Sequence, residues 1–201
     1  MTTAPAATGH ATLIDTIWPA AGNRVVRLVV LALIGTALLT LAAKIKVPYY
    51  PVPITMQTLV VLILGMAYGA RLGAATVLLY LVEGAAGLPV FTGTPERGIG
   101  LPYMLGPTGG YLVGFVLAAG VGGYLAERGW DRSAFRTAVA MMIGNIVIYI
   151  PGAVWLGTVL DSADKAITLG VLPFLYGDAL KLAIAVIALP LAWRLVQRVR
   201  G

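Results

Sequence analysis

Apolar runs close to 20 residues long recur along almost the whole of this 201-residue chain. A run of that length matches the hydrocarbon thickness of a bilayer and exceeds what a half-buried globular helix needs. The sequence therefore predicts an all-α integral membrane protein. Composition agrees: 59% of residues are hydrophobic and 11% charged, with a mean hydropathy of +0.91. Cysteine is absent and the sole histidine is His10, which removes thiolate nucleophiles, disulfides, Cys-based metal sites and a Ser-His-Asp mechanism within the membrane.

Residues 1–23 read as a flexible tail rich in Ala and Thr, with Trp18 and Pro19 as interfacial residues, and residues 24–200 as a single six-helix membrane domain. The first span runs from Arg24 to Lys44. Its apolar core of about 19 residues is longer than the h-region of a signal peptide, so the segment is expected to stay in the membrane. The stretches 56–70 and 71–87 read as two short helices meeting at a tight turn around Gly69, Arg71 and Gly73. Residues 88–110 carry Pro89, Pro95, Pro102 and Pro107 among many glycines, and such a segment is expected to be a long loop, not a helix. Spans follow over 110–128, 137–157 and 173–193, separated by the charged turn 127–136 and a polar loop from Thr158 to Leu172.

The basic residues set the orientation. With six spans, one side holds Arg24, Arg27, Arg71, Arg128, Arg132, Arg136, Arg194, Arg198 and Arg200, and the other holds Lys44, Lys46, Arg97 and Lys165. The positive-inside bias places both termini in the cytoplasm and the 88–110 loop outside. Topology accounts for the formal charge of +6, so nucleic acid is not a partner that the charge calls for.

Lys181 is the one basic residue left over, and it lies with Asp178 inside the last span. Residues three apart on a helix share a face, so the two are neighbours by construction. Counting from Arg194, Asp178 is roughly 24 Å deep into a core about 30 Å thick, near the outer side. Each such group costs about 2.5–3.5 kcal/mol at a helix centre and less towards the interface. A self-neutralising structural pair is one reading, and a polar pocket offering a donor and an acceptor is the other. Glu83, Thr55, Gln57, Asn145 and Tyr149 fall at similar depth and would join Asp178 and Lys181 in one outer cavity. Taken singly, Asn145 reads as a helix–helix hydrogen-bonding residue and Glu83 as a helix end. The pairs Gly65/Gly69, Gly69/Gly73 and Gly110/Gly114 have the spacing of close helix packing, and "GPTGGY" lacks the Lys and Ser/Thr of a nucleotide-binding loop.

Four blocks, "VPYYPVPITMQTLVVLILG" (47–65), "EGAAGLPVF" (83–91), "LGPTGGYLVGF" (105–115) and "GDALK" (177–181), in this order and spacing resemble the BioY family. That family comprises the biotin-specific S components of energy-coupling factor (ECF) transporters, and the resemblance covers nearly all of the chain after residue 24. It implies a multi-pass protein of the bacterial cell membrane that captures biotin from outside with high affinity. It also implies a transmembrane T component and two cytoplasmic ATPases as partners. No cofactor is implied: biotin is the transported ligand, and ATP is used by the partner subunits alone. In the family, small residues in an Ala-xxx-Ala pattern on the first span meet the T component, and the nearest match here is Ala32, Thr36 and Thr40.

The resemblance gives the polar set a ligand. Biotin has two ureido N–H donors, a carbonyl, apolar rings and tail, and a carboxylate, which asks for acceptors, donors and an apolar wall. Asp178 is then expected to accept a ureido N–H, Lys181 to donate to an oxygen, and Glu83, where the family often has a neutral polar side chain, to accept the second N–H. Arg97 is the expected clamp for the carboxylate, and Phe91, Tyr111 and Tyr149 the expected walls. Two other readings stay open on the residues: an S component for a different vitamin, and a proton-coupled secondary transporter with Asp178 or Glu83 as its proton site. An enzyme is not expected, for the chain shows no set of nucleophile, base and oxyanion donors.

Overall fold

The computed structural model describes residues 11–19 and 22–200; His10, with the start of the tail, lies outside them. Helix α1 (Leu13–Ile17) lies within the tail segment. Thr12 caps it, and Arg27 holds its Asp15 at 2.9 Å. Helix α2 (Arg24–Lys44) is the first apolar span with the bounds the sequence suggests, started by the Asn23 side chain accepting from the Val25 and Val26 N–H groups.

The chain then turns back through a short antiparallel ribbon, β1 (Lys46–Val47) against β2 (Ile54–Thr55). The architecture is thus mostly helical, not all-α: three prolines between Pro48 and Pro53 bar a helix there. Helices α3 (Gln57–Tyr68) and α4 (Ala70–Ala85) follow, joined at Gly69, whose φ of +84° suits glycine in a one-residue turn. A four-residue helix, α5 (Leu101–Met104), interrupts the expected 88–110 loop, and α6 (Gly109–Ala126) begins at its end. After a 3-10 turn come α7 (Ala134–Leu160), α8 (Ala163–Gly170) and α9 (Leu172–Arg200).

Two expectations change. The segment from Thr158 to Leu172 is largely a helix: Ser162 accepts from the Lys165 N–H, Asp164 stands in the first turn, and Ala166 and Gly170 pack inward. Among the described residues, four helical stretches are long and apolar enough to cross a membrane, Arg24–Lys44, Gly109–Ala126, Ala134–Leu160 and Ala163–Val199. Helices α3 and α4, with 12 and 16 residues, rise only about 18 and 24 Å.

Helix α6 is the hub, packed against α3, α4 and α7. Its contacts depend on missing side chains. A Cβ on Gly65 would meet the Ala119 Cα at 2.8 Å, and one on Gly114 would meet the Ile148 Cα at 2.8 Å. The paired-glycine spacings therefore do serve close backbone approach. Around this hub the fully buried side chains include Tyr80, Phe91, Leu62, Met66 and Met141. By contrast Val25, Leu33, Ile146, Val154, Leu180 and Ile187 point outward and exposed, the surface that such helices present to lipid. The two ends of the bundle differ in charge. Arg24, Arg27 and Arg71 line one groove near the start of α2, whereas Lys44, Arg97 and the 88–110 segment lie towards the other end.

Candidate functional site

At that second end a small cavity of about 40 Å³ opens between the ribbon, α3, α6, α7 and α9. Its polar lining includes Thr55, Gln57, Thr58, Thr92 and Lys181, and its aromatic walls are Tyr103, Tyr111, Phe115, Tyr149 and Phe174.

Helical spacing builds its floor. Asp178 and Lys181 are buried, at 5% and 4% exposure. The Lys181 ammonium donates to Asp178 Oδ1 at 3.1 Å and to Thr58 Oγ1 of α3 at 2.8 Å. Tyr149 of α7 donates its phenolic proton to Asp178 Oδ2. The Asp178–Lys181 pair thus ties three helices together, α7 through the carboxylate and α3 through the ammonium. An ammonium has three N–H groups; two are taken, and the third remains for the cavity that Lys181 lines.

A second chain of bonds orients Gln57. Tyr80 donates to the Val90 carbonyl at 3.0 Å, so its oxygen accepts from Gln57 Nε2, at 2.8 Å. The Gln57 amide oxygen is thereby turned towards Thr55, whose hydroxyl donates to it over a long 3.4 Å. This leaves the amide oxygen with accepting capacity beside the cavity. Tyr111 donates to the Gly170 carbonyl at 2.8 Å, and Trp155 Nε1 to the Gly106 carbonyl at 2.9 Å, which fixes the "GPTGG" turn against α7 and α8. Burial raises the Tyr103 phenol above its ordinary value, so it stays a hydroxyl at neutral pH.

The segment after α4 forms the roof. Phe91, 1% exposed, fills the space that Gly84 leaves and stacks on Tyr103 at 4.9 Å, with Tyr80 edge-on at 5.4 Å. Lys44 at the end of α2 donates to the Pro89 and Phe91 carbonyls at 2.9 and 3.0 Å and to Thr94 at 3.3 Å. Residues 89–94 are therefore fastened down. Pro95, Glu96, Arg97 and Ile99 are exposed, and the one hydrogen-bond partner of the Arg97 guanidinium among the described residues is the Pro51 carbonyl, at 3.3 Å.

Of the residues singled out from the sequence, Thr55, Gln57, Tyr111, Tyr149 and Lys181 come together in the cavity lining. Asp178 stands one layer back. It borders a separate groove between α7 and α9, shared with Asn145 and Tyr149, and it orients the lining residues Lys181 and Tyr149. Asn145 therefore faces away from the cavity. Glu83, half-buried near the end of α4, is not in the lining; its carbonyl accepts from the Leu88 N–H as the helix terminates. Phe91 is roof core, not an open wall, and Arg97 is outside the lining. On α2, Thr36 is buried at 4%, next to the Gly35 packing on Thr76, while Ala32 and Thr40 are half-buried. Thr36 is turned into the bundle, which leaves Ala32 and Thr40 as the less buried members of the set. Thr58, Thr92, Tyr103, Thr108, Phe115 and Phe174 line the cavity unforeseen.

Comparison with known proteins gives the same family as the sequence blocks. The model of the BioY family matches residues 11–198. The biotin transporter BioY of Thermotoga maritima is 38% identical over 167 residues, covering 82% of this chain and 95% of that protein. The probable biotin transporter BioY of Pyrococcus horikoshii is 38% identical over 151 residues, covering 75% and 86%. Among solved structures, the S-component for biotin from an ECF-type ABC transporter superposes with a TM-score of 0.70 at 24% identity, over 90% of this chain and 94% of that one. This last likeness is one of fold.

Proposed function

The chain belongs to the BioY family, and from that premise we propose that it is the biotin-binding S component of an ECF transporter in the bacterial cell membrane. The observation that carries the reading is the buried Asp178–Lys181 pair with its Tyr149 and Thr58 partners, set beneath a cavity walled by aromatic rings. Both termini are assigned to the cytoplasm, with α3 and α4 as two short spans among six, because the arginine-lined groove then faces inward. The cavity then opens outward, where a scavenged vitamin arrives. A T component and two ATPases supply the drive. Half-buried Ala32 and Thr40, with the exposed apolar side chains beside them on α2, are the proposed docking face.

Within the cavity, the Lys181 ammonium gives its remaining N–H to a biotin oxygen, and the Gln57 amide oxygen accepts a ureido N–H. Tyr111, Phe115 and Phe174 hold the apolar rings. Asp178 acts through Lys181 and Tyr149: its two oxygens hold the ammonium and the phenol in position. Arg97 uses one of its five N–H groups on Pro51, and the others are offered to the valerate carboxylate once the exposed part of the roof folds over.

The test is thermal protection of the purified protein by a panel of vitamins. Biotin alone is expected to raise the melting temperature, by mass action on the folded state. Protection by another vitamin would reassign the specificity within the S components. Uptake in vesicles driven by a proton gradient, without any ATPase, would move the protein to the secondary transporters.

A further inference from the structure

Thr92 is set apart among the residues around the cavity by a fully buried polar atom. It lines the cavity and is 4% exposed, yet its Oγ1 has no hydrogen-bond partner among the described residues. Its neighbours are paired: Thr94 donates to the Phe91 carbonyl at 2.7 Å, Thr58 accepts from Lys181, Thr55 reaches Gln57, and Tyr111 reaches Gly170. More than nine in ten buried polar groups in native proteins are paired, and an unpaired one costs folding free energy. Nor is this hydroxyl loosely held. The residue before it is pinned by Lys44 and Thr94 at its carbonyl and by Tyr103 and Tyr80 at its ring, so the roof presents Thr92 at a set position.

From this we propose that Thr92 is a specificity-determining ligand contact, its hydroxyl being completed by a hydrogen bond to a polar atom of the bound molecule. The inference rests on the reading of this cavity as the biotin site. The hydroxyl contributes twice: it destabilises the empty protein, and that penalty is removed when ligand pairs with it. It therefore couples occupancy to the roof as well as adding a contact. Unlike Lys181, whose charge is balanced without ligand, Thr92 is a group that only a correctly shaped polar ligand completes. An apolar molecule of the same size would leave it unpaired.

The experiment compares wild type with Thr92→Val, which keeps the branched shape and replaces the hydroxyl by a methyl, and with Thr92→Ser, which keeps the hydroxyl. Melting of the ligand-free proteins and calorimetric titration with biotin are the two readouts. Thr92→Val is expected to melt about 2–4 °C higher than wild type without ligand and to bind biotin about 10- to 100-fold more weakly. Thr92→Ser is expected to stay within roughly threefold of wild type in affinity. A ligand-free Thr92→Val that melts no higher than wild type overturns the proposal, since the hydroxyl would then be compensated already. Unchanged biotin affinity in Thr92→Val also overturns it. Should the valine variant not fold, Thr92→Ala carries the same affinity test. Wild-type protein that fails to bind biotin sinks the biotin reading itself, an outcome that the ligand-free melting comparison keeps separate from the status of the hydroxyl.

Discussion

The floor of the cavity and its roof are built on opposite plans. In the floor, Asp178, Lys181, Tyr149 and Thr58 answer one another's charge and hydrogen bonds before any ligand arrives. In the roof, the stretch around Phe91 is fastened by Lys44, but Thr92 is unpaired and Arg97 is exposed with a single carbonyl partner. A charge pair in a membrane must be balanced wherever it is not bound, because an isolated charge there is too costly. A loop at the water's edge is under no such demand. The floor thus holds its recognition groups in place beforehand, and the roof carries groups that the ligand completes.

Substitutions test this contrast, and the largest effect belongs to the floor. Lys181→Ala leaves Asp178 buried with Tyr149 alone, and biotin affinity is expected to fall by about 2–5 kcal/mol, much of it the penalty of the stranded charge. Melting temperature should fall too, because breaking a buried pair destabilises the fold. Intact affinity in the surviving protein would make the pair structural only. Tyr149→Phe removes one donor from the carboxylate without unbalancing the charge, and a loss of about 1.5 kcal/mol, roughly tenfold, is expected by titration. If it equals the Lys181 effect, the floor is not organised around the ammonium.

In the exposed part of the roof, beyond Thr94, the effects should be smaller and should show in rates. Arg97→Ala is expected to speed biotin dissociation about fivefold and to leave the release of biotin amide, which lacks the carboxylate charge, nearly unchanged. Equal losses for acid and amide would remove Arg97 from the carboxylate. The smallest signal is local. Amide hydrogen exchange over residues 95–101 should slow on adding biotin, while residues 89–94, already held by Lys44, should change little. The reverse pattern would mean that the whole roof lifts as one piece.

How much of this was legible in the sequence depends on what each residue's position is read from. The bounds of α2 and the Gly69 turn follow from apolar length and from glycine, signals that need no tertiary context. The Asp178–Lys181 contact follows from a spacing of three on one helix. Glu83 and Asn145 are expected in the cavity from their depth alone, but depth does not fix the face, and a residue three or four along from a buried neighbour is still rotated by some 40–60°. That angle carries Glu83 off the face where Tyr80 is buried, and it puts Asn145 on the groove side of Tyr149, which itself stands between groove and cavity. Helix α8 was hidden because eight residues with a serine cap look like a polar loop. The burial of Thr36 is not marked in the sequence, because α2 is apolar around its circumference and hydropathy does not distinguish its inner side. Thr92 had no signal: a hydroxyl in a loop becomes notable only when the fold buries it and leaves it unpaired.

Whether the paired floor is a site for biotin is decided by calorimetric titration of the purified, nucleotide-free protein with biotin. Saturable one-site binding is expected, with a Kd in the nanomolar range, about −11 to −12 kcal/mol. Binding that fails to saturate below about 100 µM would contradict it.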